Sequence, residues 1–162
     1  MEFDDLIRHI RAALPEAVAE EHPEAFSPWI RVERGQLPEL ARLLRDDPAL
    51  DFAQLMCLSG AHVPAAGETP EALWSVIHLF SPRHRHKLGV KVVLDAADPV
   101  CPSVAGLWPT ADWHEREAFD LLGIRYAGHP DLRRILCPDD WEGHPLRKDY
   151  QAPATYNGMP LD

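Results

Sequence analysis

Two apolar runs joined by a basic connection constrain this chain more than any other feature. Leu73–Phe80 is apolar nearly throughout, and Leu88, Val90, Val92 and Leu94 alternate with Gly89, Lys91 and Val93. A continuous apolar run predicts a central strand covered on both faces, whereas alternation predicts a strand with one face more exposed. The run Pro82-Arg83-His84-Arg85-His86-Lys87 between them reads as a solvated hairpin tip. Such strands need helices packed against them, and the flanking sequence supplies candidates.

Phe3, Leu6, Ile7, Ile10 and Leu14 follow i, i+3, i+4, i+7 spacing and predict an amphipathic helix ended by Pro15. Leu37, Leu40, Leu43 and Leu44 predict a second, stopped near Asp47-Pro48. Between them, Pro28–Glu33 alternates as a short strand. Phe52, Leu55, Met56 and Leu58 fit either a buried strand or a helical turn, since periodicity does not separate the two. A loop follows at Pro64–Pro70. The third helix is predicted at Ala111–Leu122, capped by Thr110, with Asp112 in its first turn and Gly123 as its stop. The order predicts an α+β fold: a two-layer domain with a mixed or antiparallel sheet packed by helices, over residues 1–126. An extended, irregular C-terminal arm over 127–162 is predicted to follow.

That arm is anomalous. Residues 128–150 hold nine charged residues, three prolines and two glycines, yet Leu132, Ile135, Leu136, Trp141, Leu146 and Tyr150 are scattered through them. Neither a period of 2 nor one of 3.6 organises these side chains. Backbone polar groups in an irregular segment need partners, and its apolar groups need cover. An arm laid across another subunit satisfies both demands, and a self-contained loop folded on its own domain satisfies part of them. Arg133, Arg134, Arg147 and Lys148 alternate with Asp131, Asp139, Asp140 and Asp149, which suits charge pairing that fixes register.

The preceding helix carries unusual acids. Asp112, Arg116 and Asp120 fall at i, i+4, i+8 and predict a polar stripe with two opposite-charge pairs. Glu115 shares a face with Ala111, Ala118, Phe119 and Leu122, so its carboxylate needs a cation or several donors. Arg133, Arg134 or a partner's arginine is the expected cation. Glu117 falls on a third face with Trp113 and Leu121, which predicts a helix buried on more than one side. Glu115 and Glu117 stand about 200° apart around the helix and cannot serve one substrate as an acid–base pair.

Composition narrows the classes of function. The net charge is −10, and residues 1–51 hold 12 acids against 6 bases, a surface that repels nucleic acid. Cys57, Cys101 and Cys137 lie far apart without CxxC spacing, unlike an iron–sulfur or zinc pattern and like reduced, buried thiols. The N-terminal MEFDDLIRHIRAAL lacks the basic start of a signal peptide, and no apolar run approaches the ~20 residues that span a bilayer. No GxSxG, P-loop, GxGxxG or HExxH motif occurs. His114, Glu117, His129 and His144 are the one set from which a free-standing metal-dependent hydrolase could be imagined. His129-Pro130 and His144-Pro145 read more simply as turn entries.

Glu115-Arg116-Glu117, Asp120-Leu121-Leu122-Gly123-Ile124 and Gly128-His129-Pro130-Asp131-Leu132-Arg133-Arg134-Ile135-Leu136 closely resemble the signature of one family. That family is the thirty-kilodalton, or C, subunit of proton-pumping NADH:quinone oxidoreductase (respiratory complex I). Asp140–Tyr150, Pro102-Ser103-Val104 and Leu107-Trp108-Pro109 are similar to it as well. Departures fall at Leu122 and Tyr126, where an aromatic residue and phenylalanine are usual, and near Leu58–His62, where a Val-Asp-Tyr-like sequence is common.

The resemblance implies a scaffold in the hydrophilic arm of an assembly that passes electrons from NADH through FMN and iron–sulfur clusters to quinone, coupled to proton translocation. It implies no catalytic residue and no cofactor on this chain, the flavin, clusters and quinone belonging to partner subunits. The implied partners are the large D (forty-nine-kilodalton) subunit and the B and I subunits, with the chain peripheral on the cytoplasmic side of the membrane and unfused to D. Glu115, Glu117 and Asp120 on the helix are expected at the interface, with His129, Asp131, Arg133, Arg134 and Trp141 on the arm. His144, Arg147, Lys148, Asp149 and Tyr150 complete that set. Membrane-bound hydrogenases and F420- or ferredoxin-linked dehydrogenases contain similar subunits and are the alternative within the superfamily.

Overall fold

A computed structural model describes residues 1–161 of the chain. Helices α1 (Phe3–Ala13), α2 (Leu37–Asp46) and α3 (Ala111–Leu122) accompany strands β1 (Glu20–His22), β2 (Trp29–Arg31), β3 (Gln54–Val63), β4 (Ala72–Ser81) and β5 (His86–Asp95). The five strands form one sheet in the order β1-β2-β5-β4-β3, with β2 and β5 parallel and the other neighbours antiparallel. Short β6 (Val100–Pro102) and β7 (Arg125–Ala127) pair in parallel on either side of α3 in sequence, and β8 (Thr155–Tyr156) with β9 (Met159–Pro160) makes a terminal hairpin. This is the two-layer α+β arrangement that the element order predicts.

The ambiguous run around residues 52–58 resolves as β3, because its partner is remote. Leu55 pairs with Leu79 and Leu58 with Ile77, across a register shift between Leu55 and Cys57. Local periodicity carries no trace of that pairing. Strand β1 was equally hidden, being Glu-Glu-His; it forms by pairing with β2, and His22 stacks on Trp29 at 3.7 Å between ring centroids.

All three helices lie on one side of the sheet. Leu73, Ile77 and Leu79 of β4, and Leu88, Val90, Val92 and Leu94 of β5, are buried in one core with Leu6, Ile10, Leu40, Leu44 and Leu122 of the helices. A side chain at Gly60 of β3 would strike Leu122 and crowd Ile124, so glycine there lets α3 lie close against the strand. The expectation that β4 is covered on both faces therefore fails. Its alternate residues Trp74, Val76, His78 and Phe80 remain partly exposed. The alternating pattern of β5 is as predicted: Lys91 and Val93 face outward.

Two further expectations need correction. Thr110 makes no side-chain cap bond and is itself in the helical region. Gly123, by contrast, ends α3 in the left-handed conformation at φ 79°, as predicted. The hairpin tip is only half solvated. Arg83 and Arg85 are exposed, but His84 Nε2 donates to the Pro48 carbonyl at 2.8 Å and buried His86 Nε2 to that of Leu50 at 2.7 Å. Those bonds tie the tip to the loop after α2. Among the described residues no helix is long and apolar enough to cross a membrane.

Candidate functional site

The anomalous segment folds against the end of α3. A helix leaves its last four carbonyls without intrahelical partners; here the Gly123 N–H takes that of Phe119 at 2.9 Å, and residues from the segment supply the other three. Arg134 Nη1 donates to the Asp120 carbonyl at 3.2 Å and His144 Nδ1 to the same oxygen at 2.9 Å. The Leu146 N–H donates to the Leu121 carbonyl at 2.9 Å, and Arg147 Nε to that of Leu122 at 2.8 Å. Gly123 is required for this closure twice over: its φ is positive, and an added Cβ would sit 2.7 Å from His144 Nε2. Two arginines and a histidine at the negative end of the helix dipole are also favourably placed.

Asp120 is the anchor of this clasp. Its Oδ2 accepts the N–H groups of Ile135, Leu136 and Cys137 at 3.0, 2.7 and 2.8 Å, while Oδ1 accepts Arg134 at 2.6 Å. The side chain has no exposed surface. Burial alone would raise its pKa, but the Cys137 amide, Arg134 and the amides of Leu136 and Ile135 outweigh it and bring it to about 2. Arg134 is the matching hub: its other amino nitrogen donates to the carbonyls of Trp141 at 2.8 Å and Gly143 at 3.1 Å.

The predicted polar stripe is thus absent. Arg116 is buried and donates to the carbonyls of Arg133 at 3.3 Å and Arg134 at 3.2 Å, forming no pair with Asp112 or Asp120. Helical spacing brings those three side chains to one face, but the incoming backbone offers Arg116 and Asp120 partners of its own, and Asp112 Oδ1 is left buried without a hydrogen bond. Glu115 does not pair with arginine either. Its carboxylate accepts the Ser103 hydroxyl at 2.6 Å and the Val104 N–H at 2.7 Å, with His129 Nε2 4.0 Å away. Burial raises its pKa against those two hydrogen bonds and the nearby histidine. The helix is buried on more than one side as predicted, with Ala118 and Leu122 against β3 and Arg116 and Asp120 under the segment, but not through Glu117, which is exposed, as is Trp113 with 62% of its surface.

The remaining candidates divide by exposure. The His129 ring has no exposed surface; its Nδ1 accepts the Asp131 N–H at 3.0 Å and its Nε2 donates to the Asp112 carbonyl at 3.2 Å. Asp131 and Arg133 pair on the surface at 2.8 Å. Trp141 Nε1 donates to the Tyr150 hydroxyl at 3.1 Å, and its ring lies 5.2 Å from that of Tyr156. Lys148 and Asp149 are exposed side chains.

The set His114, Glu117, His129 and His144 does not assemble, since His129 and His144 are spent on separate bonds to the two ends of α3. Among the described residues a different trio, His62, Glu71 and Asp149, brings potential ligand atoms within 4.8 Å. His62 Nδ1 accepts the Lys148 N–H at 2.8 Å, so its proton lies on Nε2, which donates to Glu71 at 2.6 Å. Both ring nitrogens are therefore engaged, Nδ1 joining the arm to the end of β3 and Nε2 holding the residue before β4. Nothing in the sequence singled out His62 for this, because its partners lie 9 and 86 residues away. Pockets are small; one of about 160 Å³ between β3 and α3 is lined by Leu58, His114, Glu117, Leu121 and Leu146.

The chain is thus an α+β domain whose last helix is clasped at its end by an irregular basic–acidic segment. The profile of the family described as respiratory-chain NADH dehydrogenase, 30 kDa subunit, matches residues 30–156, and the chain belongs to that family. It is 51% identical over 133 residues to the NADH-quinone oxidoreductase C subunit of Saccharopolyspora erythraea, covering 80% of this chain and 53% of that protein. With the corresponding C subunit of Chlorobium phaeobacteroides it shares 43% identity over 152 residues, 93% of this chain and 89% of the relative. The chain thus spans about half the length of the first relative and most of the second. Among solved structures, a trypsin-resistant fragment of Nqo5 superposes with a TM-score of 0.68 at 26% identity, over 82% of this chain and all of the fragment. A chain of the archaeal membrane-bound sulfane sulfur reductase, a respiratory membrane complex, superposes with a TM-score of 0.74 at 20% identity over 93% of this chain and 86% of its own, which is a likeness of fold.

Proposed function

We propose that this chain is a non-catalytic scaffold subunit in the peripheral arm of a proton-pumping NADH:quinone oxidoreductase, holding partner subunits in register rather than carrying a redox group. The observation that carries this reading is the clasp. Its backbone is fixed on α3 by buried charges, yet Leu136 and Leu146 on the segment keep 63% and 57% of their surfaces exposed, and Trp113 beside it 62%. A segment held this firmly with apolar groups turned outward is suited to meet another protein. Its surface charges, Glu117, Asp131, Arg133, Lys148 and Asp149, would set orientation, and half-buried Trp141 and Tyr150 would be anchoring contacts. Glu115, Asp120 and His129, having no exposed side-chain surface, would act indirectly by shaping the segment.

In this reading the D, B and I subunits surround the chain, FMN and the iron–sulfur clusters reside on partners, and the chain lies peripherally on the cytoplasmic side. The isolated positions of Cys57, Cys101 and Cys137, of which Cys101 is fully buried, support a chain without a cluster. A second reading is the equivalent subunit of a hydrogenase or of an F420- or ferredoxin-linked dehydrogenase; its support is a fold shared with a chain of the archaeal sulfane sulfur reductase, a respiratory complex of another kind. Affinity purification of the tagged chain from native membranes separates the two. Co-purification of D, B and I subunits with NADH:quinone reductase activity is the expected result, and recovery of hydrogenase-type subunits, or of the chain alone, would refute the proposal.

A further inference from the structure

The uncovered sheet face is built unlike a surface meant for water. One-sided antiparallel sheets ordinarily turn polar side chains outward, but β4 presents Trp74, Val76, His78 and Phe80, and neighbouring strands add Trp29 and Val93. Each is partly exposed, Val93 to 37%. Lys91 stands in the middle of this field. Its ammonium lies 3.5 Å from the centroid of the Trp29 ring and 4.1 Å from that of Trp74. Ring faces attract a cation, but they do not replace an acceptor. Glu20, the carboxylate whose charge acts on Lys91, is bound to Arg31 at 2.9 Å. Partial burial accordingly lowers the lysine's pKa despite Glu20.

We propose that this face docks a neighbouring subunit that lays an apolar patch over Trp29 and Trp74 and sets one carboxylate on Lys91. The inference rests on the reading of the chain as a subunit of a complex, and adds a surface distinct from the clasp. Charge complementarity identifies the occupant. Arg31 is already paired with Glu20 at 2.9 Å and Glu33 at 3.2 Å, whereas Lys91 has two rings beside it and makes no ion pair among the described residues. A carboxylate arriving there gains an ammonium already stripped of part of its water and held in place by two rings. A second copy meeting this face about a two-fold axis would instead bring one Lys91 against another, a desolvated like-charge contact.

The test compares amine labelling of Lys91 in the isolated full chain and in the native complex, with carbodiimide cross-linking of the complex. Labelling is expected to slow at least about tenfold on assembly, and Lys91 is expected to form an amide with an Asp or Glu of another subunit. Lys91→Met, which keeps the aliphatic stem between the rings, is expected to assemble less well than wild type, and Lys91→Glu hardly at all, with both folded by circular dichroism. Equal labelling in chain and complex, wild-type assembly of Lys91→Glu, or a dimer of the isolated chain in which Lys91 is protected would overturn the proposal. If the wild-type chain captures no other subunit, the scaffold reading falls as well; if it assembles with Lys91 unprotected, only this inference falls.

Discussion

Replacing Asp120 by asparagine leaves the shape of the side chain almost unchanged but turns one buried acceptor into a donor. Both carboxylate oxygens are occupied, one by three successive amides and the other by Arg134. Whichever way the new amide is turned, its NH2 faces donors, so either the 135–137 turn or Arg134 loses its partner. The size of the loss follows from the carboxyl itself, which titrates at about 2 in the folded chain against 3.8 in the open. That difference favours the ionised, clasped state by about 2 to 3 kcal/mol, since one pKa unit corresponds to about 1.4 kcal/mol. The folded value being depressed, this stability is complete above about pH 4 and is lost as pH falls toward 2. Asparagine mimics the protonated form at every pH. Near neutrality, local opening of the segment in Asp120→Asn should therefore be roughly 30- to 150-fold more frequent. Hydrogen exchange at the amides of Ile135, Leu136 and Cys137 reads it directly, and tryptic cleavage after Arg133 and Arg134 should accelerate in parallel. The sheet and α1 should keep their protection, because the loss is confined to the clasp. A change of less than about threefold in exchange, or uniform loss of protection across the sheet, would refute the argument.

Glu115 should show the opposite dependence. Its folded pKa lies above 4.5, so its contribution is complete below that value and declines as pH rises through the folded pKa. Glu115→Gln should therefore flatten the loss of stability between pH 4.5 and neutrality, measured as urea midpoints; an unchanged slope would remove the case for a strained buried carboxyl. Burial pushes the Cys101 thiol up to about 12, so thiol titration near about pH 8 should label Cys57 and Cys137 and reach Cys101 only after unfolding. Trp141→Ala and Arg147→Ala should leave the isolated chain folded while reducing incorporation into the complex and quinone reductase activity, and normal values in both would refute the assignment of the segment to an interface.

The parts of the fold that sequence foretold are those fixed by short-range patterns. The apolar spacings of α1 and α2, the alternation of β5 and the glycine that ends α3 are each set within a turn or two of chain. What escaped depends on partners far along the chain. β3 could not be told from a helical turn without β4, and β1 is polar in every residue. The acids of α3 illustrate the limit best. Regular spacing suggested that Asp112, Arg116 and Asp120 pair with one another, but apart from the Arg134 guanidinium the bonds actually made by Arg116 and Asp120 run 15 to 18 residues ahead, to main-chain groups that no side-chain pattern encodes. The family resemblance was legible in that same stretch of chain, whereas the internal engagement of Asp120, Arg134 and His144 required coordinates.

Asp120 grips main-chain amides, and this has a consequence for how such a protein can change. A carboxylate that binds N–H groups dictates the path of the turn and is indifferent to what grows from its α-carbons. Ile135, Leu136 and Cys137 can thus be exchanged for other residues while the bend keeps its course. The mounting stays constant and the fitting it presents is replaceable, so a new neighbour can be accommodated by altering the turn's outward side chains alone, whereas proline at any of the three positions would undo the mount itself.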